Sequence, residues 1–516
     1  KLFNYYGHPE ADRIIVAMGS VCETIEETID YLINRGEKVG LISVHLYRPF
    51  SIDHLFKALP KTVKRIAVLD RTKEPGSIGE PLYIDVKTAF YDCENRPIVV
   101  GGRYGLGSKD TIPAHIIAVY ENLKLKNPKN RFTIGIDDDV THSSLEVKDN
   151  VDTSKEGTIR CKFWGLGSDG TVGANKMAIK IIGDNTHLYA QGYFSYDSKK
   201  SGGTTVSHLR FGKNPIKSTY LVYESDYVSC HNKTYIYHYD LLKGLKKGGT
   251  FVLNCPWSIE ELDDKLPNYI KRYISENDID FYIIDAEGIA QNIGLGTRIN
   301  MIMQGTFFKL SNVIPIEDAE KYLNEFIVKT YGKKGNTIVE MNYEAVDKGI
   351  NSVIKVNVPD NWGIDEDELE LEVKYEPDFV KKIQRPMAKM EGDNLPVSAF
   401  KKLEDGTFPL GTSAYEKRGI AVLIPQWQTD KCIQCNQCSF ICPHAVIRPF
   451  LLDEREKRNA PDTFETKNAV GKGLEGLEYR IQVSPLDCTG CGNCADICPA
   501  PGKALVMVKA EEEIKR

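Results

Sequence analysis

The fold of the C-terminal part of the chain is decided by the stretch C-I-Q-C-N-Q-C-S-F-I-C-P at residues 432–443, which recurs as C-T-G-C-G-N-C-A-D-I-C-P at residues 488–499. Both runs have the spacing C-x-x-C-x-x-C-x-x-x-C, and Pro443 and Pro499 directly follow the fourth cysteine. Three thiolates on one tight loop can reach three corners of a cubane of iron and sulfur. The fourth corner then needs a ligand from elsewhere in the chain.

This spacing is typical of bacterial-type ferredoxins with two [4Fe–4S] clusters, in which the fourth cysteine of each run binds the other cluster. The pattern therefore predicts one cluster on Cys432, Cys435, Cys438 and Cys498, and a second cluster on Cys488, Cys491, Cys494 and Cys442. Paired zinc knuckles and disulfide scaffolds also use dense cysteines, but neither needs a doubled four-cysteine run with its proline. The sequence predicts a chain that transfers electrons.

The composition is that of an ordinary globular protein. With 516 residues, 41% of them hydrophobic and 27% charged, the chain has room for about three to four domains. The net charge of −6 argues against a general nucleic-acid binder, and no apolar run approaches the ~20 residues of a transmembrane helix. Because the sequence begins at Lys1 without an initiator methionine or a signal peptide, we expect an internal piece of a longer chain.

Five further cysteines lie outside the runs and lack C-x-x-C spacing. We interpret them as buried or partly buried free thiols: Cys22, Cys93, Cys161, Cys230 and Cys255. Oxygen-labile clusters together with unpaired thiols indicate a reducing compartment, so we expect a cytoplasmic protein of an anaerobe or an organellar equivalent.

The first ~130 residues alternate between buried strands and amphipathic helices. Strands are predicted at residues 13–19, 39–45, 65–70 and 97–102, and helices at residues 21–35, 52–59 and 113–123. Such alternation is typical of parallel β-α-β units. The segment 46–50, Leu-Tyr-Arg-Pro-Phe, resembles the L-R-P segment of the transketolase C-terminal domain. The carboxylates of Asp137, Asp138 and Asp139 could suggest a metal, but such residues more often cap a helix or lie in solvent.

A second α/β unit opens at residue 158, where a predicted strand at 159–164 leads into G-L-G-S-D-G at residues 165–170 and then a helix. Glycines between a strand and a helix let backbone N–H groups approach a phosphate. We interpret this as an anion loop rather than an NAD site, because no acidic residue is well placed ~20 residues further on. A second glycine-rich loop with lysines at 197–203 also suits phosphate, with an exposed turn as the alternative.

Further along, a helix is predicted at residues 240–247, and strands at 250–254 and 280–285. Met301 and Met303 are interpreted as core residues. Residues 349–427 have weak periodicity and frequent prolines and glycines, which indicates an irregular connecting domain that holds Glu416-Lys417-Arg418. A charged insertion at 453–476 separates the two cysteine runs.

The order of these features resembles the fused single-chain pyruvate:ferredoxin (flavodoxin) oxidoreductases of anaerobes. The matching stretches are G-R-Y-G-L-G-S-K at 102–109, S-D-G-T-V-G-A-N-K at 168–176, G-L-G-T-R-I-N at 294–300 and Glu416-Lys417-Arg418. The resemblance implies an α/β multidomain chain with two parallel-sheet domains, an irregular domain and an α+β two-cluster ferredoxin domain. We divide the chain into a transketolase C-terminal-like domain (1–145), a CoA-binding domain (146–360), an EKR connecting domain (361–424) and a ferredoxin-like domain (425–516).

The resemblance also implies a reaction and its partners. The family oxidises pyruvate with CoA to acetyl-CoA and CO2, and [4Fe–4S] clusters pass the electrons to ferredoxin or flavodoxin. By position, the CoA contacts are Asp169, Gly170, Lys199, Lys200 and Ser201. A homodimer is implied for the parent enzyme, and no nucleic acid or membrane partner is expected.

The sequence departs from the family at one point, because it contains no G-D-G motif for a magnesium–diphosphate group. We therefore expect thiamine diphosphate, Mg²⁺ and a further [4Fe–4S] cluster to belong to domains outside these 516 residues, and no catalytic residue for decarboxylation within them. Three alternatives stay open: a self-standing electron-transfer module, an oxidoreductase for another 2-oxo acid, and an NAD-linked reductase that uses the loop at 165–170.

Overall fold

The computed structural model describes residues 1–148, 151–167, 169–197, 202–363 and 376–513. The N-terminal sheet is built from β1 (Phe3–Gly7), β2 (Arg13–Ala17), β3 (Val39–Val44), β4 (Arg65–Asp70), β5 (Ile98–Arg103) and β6 (Phe132–Thr133). Its strand order is β1-β3-β2-β4-β5-β6, with β1 antiparallel and the other strands parallel. The four predicted strands are present within one or two residues. The edge strand β1, of which only Phe3 is buried, was not predicted.

Helices cover both faces of this sheet. They are α1 (Val21–Ile33), α2 (Ile52–Ala58), α3 (Pro81–Ala89) and α4 (Pro113–Lys124). Ile25 and Ile29 of α1 pack with Ile116 and Val119 of α4 on one face, while α2 and α3 bury their apolar side chains on the other. The predicted β-α-β alternation is confirmed for this unit, although α3 was not predicted.

The second sheet has seven strands: β7 (Ile159–Leu166), β8 (Tyr189–Tyr196), β9 (Thr204–Gly212), β10 (Ser225–Cys230), β11 (Leu245–Asn254), β12 (Asp280–Ile284) and β13 (Ile354–Lys355). Their order is β13-β12-β11-β10-β7-β9-β8. The central four strands are parallel, as predicted, but β13, β9 and β8 are antiparallel, so the sheet is mixed. The predicted helix at 240–247 is wrong. Leu241 and Leu242 are buried in a turn, and β11 starts at Leu245.

Seven helices accompany the second sheet: α5 (Thr171–Asn185), α6 (Leu262–Lys265), α7 (Asn268–Glu276), α8 (Ala286–Ile293), α9 (Asn300–Ser311), α10 (Ile316–Tyr331) and α11 (Asn336–Asn351). Met301 and Met303 on α9 are buried, which confirms their prediction as core residues. Helices α9 and α11 approach closely at two glycines. A Cβ at Gly349 would lie 2.0 Å from the Ile302 carbonyl oxygen, and a Cβ at Gly305 would lie 2.5 Å from that of Val346.

The connecting segment is irregular, as predicted, and its only α-helix within the described residues is α12 (Arg385–Ala388). It is attached to the N-terminal unit through the run of carboxylates. Asp139 accepts hydrogen bonds from the Ser398 N–H (2.9 Å) and hydroxyl (2.5 Å). Asp138 accepts from Thr141 N (2.8 Å) and Ser143 N (3.0 Å). These carboxylates therefore organise a turn and a domain contact.

The C-terminal part contains two small antiparallel sheets and four short helices. The strands are β14 (Leu423–Trp427), β15 (Ile447–Leu452), β16 (Lys467–Asn468), β17 (Glu478–Val483) and β18 (Leu505–Lys509), and the helices are α13 (Gln437–Ile441), α14 (Glu454–Arg458), α15 (Asn493–Ile497) and α16 (Ala510–Glu513). Strand β14 pairs with β18, and β17 lies between β15 and β16. Across the described residues, no helix is both long and apolar enough to cross a membrane.

Candidate functional site

Each cysteine run contributes to two cavities in the C-terminal part. The first cavity is lined by Cys432, Cys435 and Cys438 of the first run together with Cys498 of the second. The second cavity is lined by Cys488, Cys491 and Cys494 of the second run together with Cys442 of the first. The structure thus brings the eight cysteines together in the interleaved sets that the spacing predicts. The cavities enclose about 330 and 340 Å³ of space, part of it open to solvent.

The two cysteine loops have equivalent backbones. Gln434 and Asn436 in the first run, and Gly490 and Gly492 in the second, have positive φ angles between 59° and 77°. This conformation turns the chain back on itself, so that Gln434 N and Gly490 N each approach a cysteine sulfur two residues earlier, Cys432 Sγ or Cys488 Sγ, at 3.4 Å. Helices α13 and α15 follow directly and pack against each other. The first three cysteines of each run are therefore presented on one compact turn.

The chemistry of the two cavities fits an iron–sulfur cluster. Trp427 Nε1 in the first cavity and His444 Nε2 in the second are buried ring nitrogens without a hydrogen-bond partner among the described residues. Buried polar groups are normally paired, so each nitrogen is suited to a group that occupies the cavity. Burial raises the pKa of the Cys438 thiol to about 11 and that of Cys494 to about 12. A bound metal would supply the positive charge that favours their thiolate forms.

Far from these cavities along the sequence, the glycine loop of the second sheet joins β7 to α5. The Asp169 carboxylate accepts hydrogen bonds from Leu166 N (2.8 Å), Thr171 N (2.7 Å) and Thr171 Oγ1 (2.8 Å). It therefore fixes the shape of the loop from within. Gly170 caps α5 with φ +88°, a conformation that strongly favours glycine. A Cβ at this position would lie 2.2 Å from Asn300 Nδ2, which donates to the Asp169 carbonyl at 3.1 Å.

The loop borders an open cavity of about 400 Å³. Its lining includes Gly167, Asp169 and Gly170 from the loop, and Asp197 and Thr204 from the facing strand ends. The structure thus brings Asp169 and Gly170 to one wall of this cavity. The other predicted CoA contacts, Lys199, Lys200 and Ser201, lie outside the described residues.

A buried histidine behind the loop was missed in the sequence. His231 follows β10, and its Nδ1 lies 2.9 Å from Thr171 Oγ1 at the start of α5. Burial lowers its pKa to about 4, which keeps the imidazole neutral. The sequence places His231 sixty residues from Thr171. The parallel pairing of Cys230 with Trp164 brings it next to the loop, so only the strand order could have revealed it.

The glycine-loop unit and the cysteine domain meet at the Glu-Lys-Arg segment. Arg418 Nη1 donates to the Gly202 carbonyl at 2.6 Å, and Arg418 N donates to the Leu486 carbonyl at 3.2 Å. Gly202 also lies against Thr489, since a Cβ on Gly202 would lie 2.5 Å from Thr489 Cγ2. The side chain and the main-chain N–H of Arg418 thus connect the end of the basic loop (residues 197–203) with the segment just before Cys488.

In a comparison with known proteins, four family models match successive segments of the chain. Residues 160–352 match the family model "Pyruvate ferredoxin/flavodoxin oxidoreductase", and residues 11–116 match "Pyruvate:ferredoxin oxidoreductase core domain II". Residues 431–501 match "4Fe-4S dicluster domain", and residues 366–421 match the EKR domain of unknown function. Over 99% of its length, the chain is 61% identical to a pyruvate-flavodoxin oxidoreductase of Enterobacter agglomerans. Two segments of the chain thus match models of the pyruvate ferredoxin/flavodoxin oxidoreductases. The eight run cysteines lie in a [4Fe–4S] dicluster domain, as the sequence predicts.

Other relatives match the chain over the same share of its length. It is 60% identical over 99% of its length to the pyruvate:ferredoxin oxidoreductase of Moorella thermoacetica, and 51% identical over 100% to a pyruvate dehydrogenase [NADP(+)] of Cryptosporidium parvum. The chain spans 44% of the length of the Enterobacter and Moorella relatives and 28% of the Cryptosporidium relative. Each relative therefore contains a large part that has no counterpart in these 516 residues.

Proposed function

We propose that the chain is the CoA-binding and electron-transfer portion of an enzyme that oxidatively decarboxylates pyruvate. The overall reaction converts pyruvate and CoA into acetyl-CoA, CO2, a proton and two electrons. The electrons pass one at a time through [4Fe–4S] clusters to a ferredoxin or flavodoxin. The observation that carries this proposal is the pair of cavities, each lined by four cysteines from both runs. The names of the relatives support pyruvate as the substrate.

In this proposal the cysteines hold two clusters with exchanged fourth ligands. The clusters supply one-electron redox chemistry when bound, and the chain supplies their ligands and surroundings. Cys432, Cys435, Cys438 and Cys498 hold one cluster, and Cys442, Cys488, Cys491 and Cys494 hold the other. The contact between α13 and α15 keeps the two ligand sets side by side, which supports electron transfer between the clusters.

Iron analysis and electron paramagnetic resonance test this assignment. The reduced chain should contain about eight irons in two magnetically interacting clusters. Replacing Cys442 with alanine should damage the cluster of the second run, although Cys442 belongs to the first. Cys93→Ala is the matched control, because this half-buried cysteine lies outside both runs. Zinc in place of iron, or damage to the first-run cluster by Cys442→Ala, would contradict the proposal.

The glycine loop and the basic loop that follows bind CoA in this proposal. Gly170 allows close approach of the backbone at the start of a helix of 15 residues, where the helix dipole favours a phosphate. Lys199 and Lys200 add positive charge, Ser201 adds a hydroxyl, and Asp169 holds the loop in shape. The open cavity of about 400 Å³ beside Asp169 and Gly170 lies within the size range of ligand pockets.

Calorimetry of CoA binding tests the two lysines. Changing Lys199 and Lys200 together to alanine should weaken binding, more strongly at low salt because ions screen exposed charges. Lys333 and Lys334 form a matched control pair, since they are adjacent, exposed lysines in the same α/β unit. If the two double variants bind CoA with equal affinity, Lys199 and Lys200 belong to an exposed turn and do not contact CoA.

The remaining chemistry is assigned to the rest of the parent enzyme. We propose that thiamine diphosphate, Mg²⁺ and a further cluster reside in domains of the parent beyond these 516 residues, and that the parent is a homodimer. The isolated chain should then release no labelled CO2 from carboxyl-labelled pyruvate, even with CoA, thiamine diphosphate and Mg²⁺. Once chemically reduced, it should still transfer electrons to oxidised ferredoxin. Release of CO2 by the homogeneous chain would refute this assignment.

A further inference from the structure

Two lysines are hydrogen-bonded to cysteine carbonyls at the first cavity. Lys467 Nζ donates to the carbonyl oxygens of Thr429 (2.8 Å) and Cys432 (2.9 Å). Lys503 Nζ donates to the carbonyl oxygens of Asp496 (2.8 Å) and Cys498 (2.9 Å). Each ammonium group is thus fixed at the backbone of a cysteine of the same four-cysteine set.

The two lysines come from separate parts of the chain. Lys467 lies on β16, within the insertion between the cysteine runs, and Lys503 lies in the turn before β18 with φ +56°. The next residue, Ala504, donates its N–H to Cys498 Sγ at 3.2 Å. In the same way, Gln434 donates its N–H to Cys432 Sγ. In the first cavity, Cys432 and Cys498 therefore each accept a hydrogen bond from a lysine at the carbonyl oxygen and one from a backbone N–H at the sulfur.

The second cavity is arranged differently. In the part of the chain that the structure describes, no lysine donates to the carbonyl of Cys442, Cys488, Cys491 or Cys494, and Cys488 Sγ accepts from Gly490 N at 3.4 Å. The neighbouring cations have other partners: Lys417 Nζ donates to the Asp487 carboxylate at 2.5 Å, and Arg418 Nη1 donates to the Gly202 carbonyl. The Lys417 charge is therefore compensated by a carboxylate, whereas Arg418 and the two lysines at the first cavity donate to neutral carbonyls. The first cavity thus has two such cations and the second has one.

A reduced cluster carries one more negative charge than its oxidised form. Positive charge near the cluster stabilises the reduced form, and so do N–H groups that donate hydrogen bonds to the sulfurs. Each of these two effects raises the reduction potential. The effect of a charge is largest at short range and is reduced by intervening water; Lys467 is half-buried, whereas Lys503 is exposed, so we expect Lys467 to contribute more. We propose that Lys467 and Lys503 raise the reduction potential of the cluster in the first cavity above that of the cluster in the second cavity. At equilibrium, a single electron added to the two clusters then resides mainly on the cluster in the first cavity. This inference rests on the proposed cluster ligation.

Potentiometric titration of the cluster-loaded chain, followed by electron paramagnetic resonance, tests the inference. In the Lys467→Met/Lys503→Met variant, the higher of the two midpoint potentials should fall by at least about 59 mV, a tenfold change in the one-electron equilibrium. The lower of the two midpoint potentials should not change. Lys467→Arg/Lys503→Arg should preserve the wild-type values, because arginine retains the charge. Lys401→Met, which removes an exposed lysine from the connecting segment, should change neither potential.

A second measurement identifies which cluster has the higher potential without altering either lysine. In Cys488→Ala/Cys491→Ala, which removes two ligands of the second cavity, the remaining cluster should titrate at the higher wild-type potential. The inference is overturned if that cluster titrates at the lower potential. It is also overturned if the double methionine variant retains about eight irons and unchanged potentials. A wild-type chain that fails to bind about eight irons would instead refute the proposed function.

Discussion

Replacing Gly170 with alanine tests whether the glycine loop is held by backbone conformation and by its contact with α9. Gly170 has φ +88° and precedes the first residue of α5. The new Cβ would lie 2.2 Å from Asn300 Nδ2, well inside van der Waals contact. Either the loop or Asn300 must move. A shift of Asn300 would break its hydrogen bond to the Asp169 carbonyl.

The expected cost follows from two contributions. A non-glycine residue in the left-handed region costs about 1–2 kcal/mol, and loss of one hydrogen bond costs about 0.5–1.5 kcal/mol. Together they amount to about 1.5–3.5 kcal/mol. Gly173→Ala is the matched control, because Gly173 lies inside α5, is exposed, and has open space where a Cβ would be added. Inside a helix, alanine stabilises by about 0.5–1 kcal/mol relative to glycine.

Native-state hydrogen exchange is the suitable assay, because a chain with several domains does not unfold in a single transition. The amides at the start of α5 should exchange roughly tenfold faster or more in Gly170→Ala, since about 1.4 kcal/mol corresponds to a factor of ten. They should exchange more slowly in Gly173→Ala. Under the proposed function, CoA affinity should fall only in Gly170→Ala. Unchanged exchange in that variant would mean that the loop tolerates a side chain, and the argument from conformation would fail.

Three further predictions concern the framework around the sites. Gly349→Ala should separate α9 from α11 and destabilise their unit by about 1–3 kcal/mol, measurable as faster exchange of α11 amides; a neutral effect would show that the helices can slide apart. Glu27→Gln should loosen the contact between the first two units, since the buried Glu27 carboxylate accepts from the hydroxyls of Ser218 and Tyr220, each at 2.6 Å; limited proteolysis should then cut between the units faster than in the wild type. As the pH falls from about 6.5 to about 4, the free energy of unfolding should decrease less steeply in His231→Gln than in the wild type, by up to about 1.4 kcal/mol per pH unit. The sign follows from the lowered folded-state pKa, because the unfolded state binds the proton first as the pH falls; an unchanged slope between these pH values would contradict it.

The arrangement of the cysteines could be predicted because the doubled run has the spacing of two-cluster ferredoxins, in which the fourth cysteine of each run binds the other cluster. Three cysteines spaced two residues apart must share one turn, and the fourth cysteine, after a short helix, is carried away from that turn. The structure places Cys442 and Cys498 at the opposite cavities, as this reasoning requires. The strand–loop–helix context of residues 159–185 could be predicted on similar local grounds.

The role of Asp169 could not be predicted in this way. An aspartate just before a helix can face a ligand or accept hydrogen bonds from its own loop, and both alternatives have the same sequence. The structure shows that its carboxylate accepts three hydrogen bonds from Leu166 and Thr171. The mistaken helix at 240–247 has a comparable cause. Leu241, Leu242 and Leu245 are spaced as on a helix, yet all three are buried in a core that includes Val228 of β10 and Phe251 of β11.

The difference between the two cavities depends on the sequence that separates the runs. The cysteine loops themselves are near equivalents, since their left-handed residues fall at matching positions. From sequence alone, the lysines of the insertion at 453–476 would be assigned to solvent, as is usual for a charged segment. In the fold, β16 pairs with β17, and this pairing brings Lys467 to the Cys432 carbonyl. Because the other run has no corresponding strand within the described residues, the insertion removes the symmetry between the two clusters. A repeated motif alone would give two similar potentials, and thus no preferred direction of transfer. The added strand therefore provides a physical reason for an electron to move from the second cavity to the first.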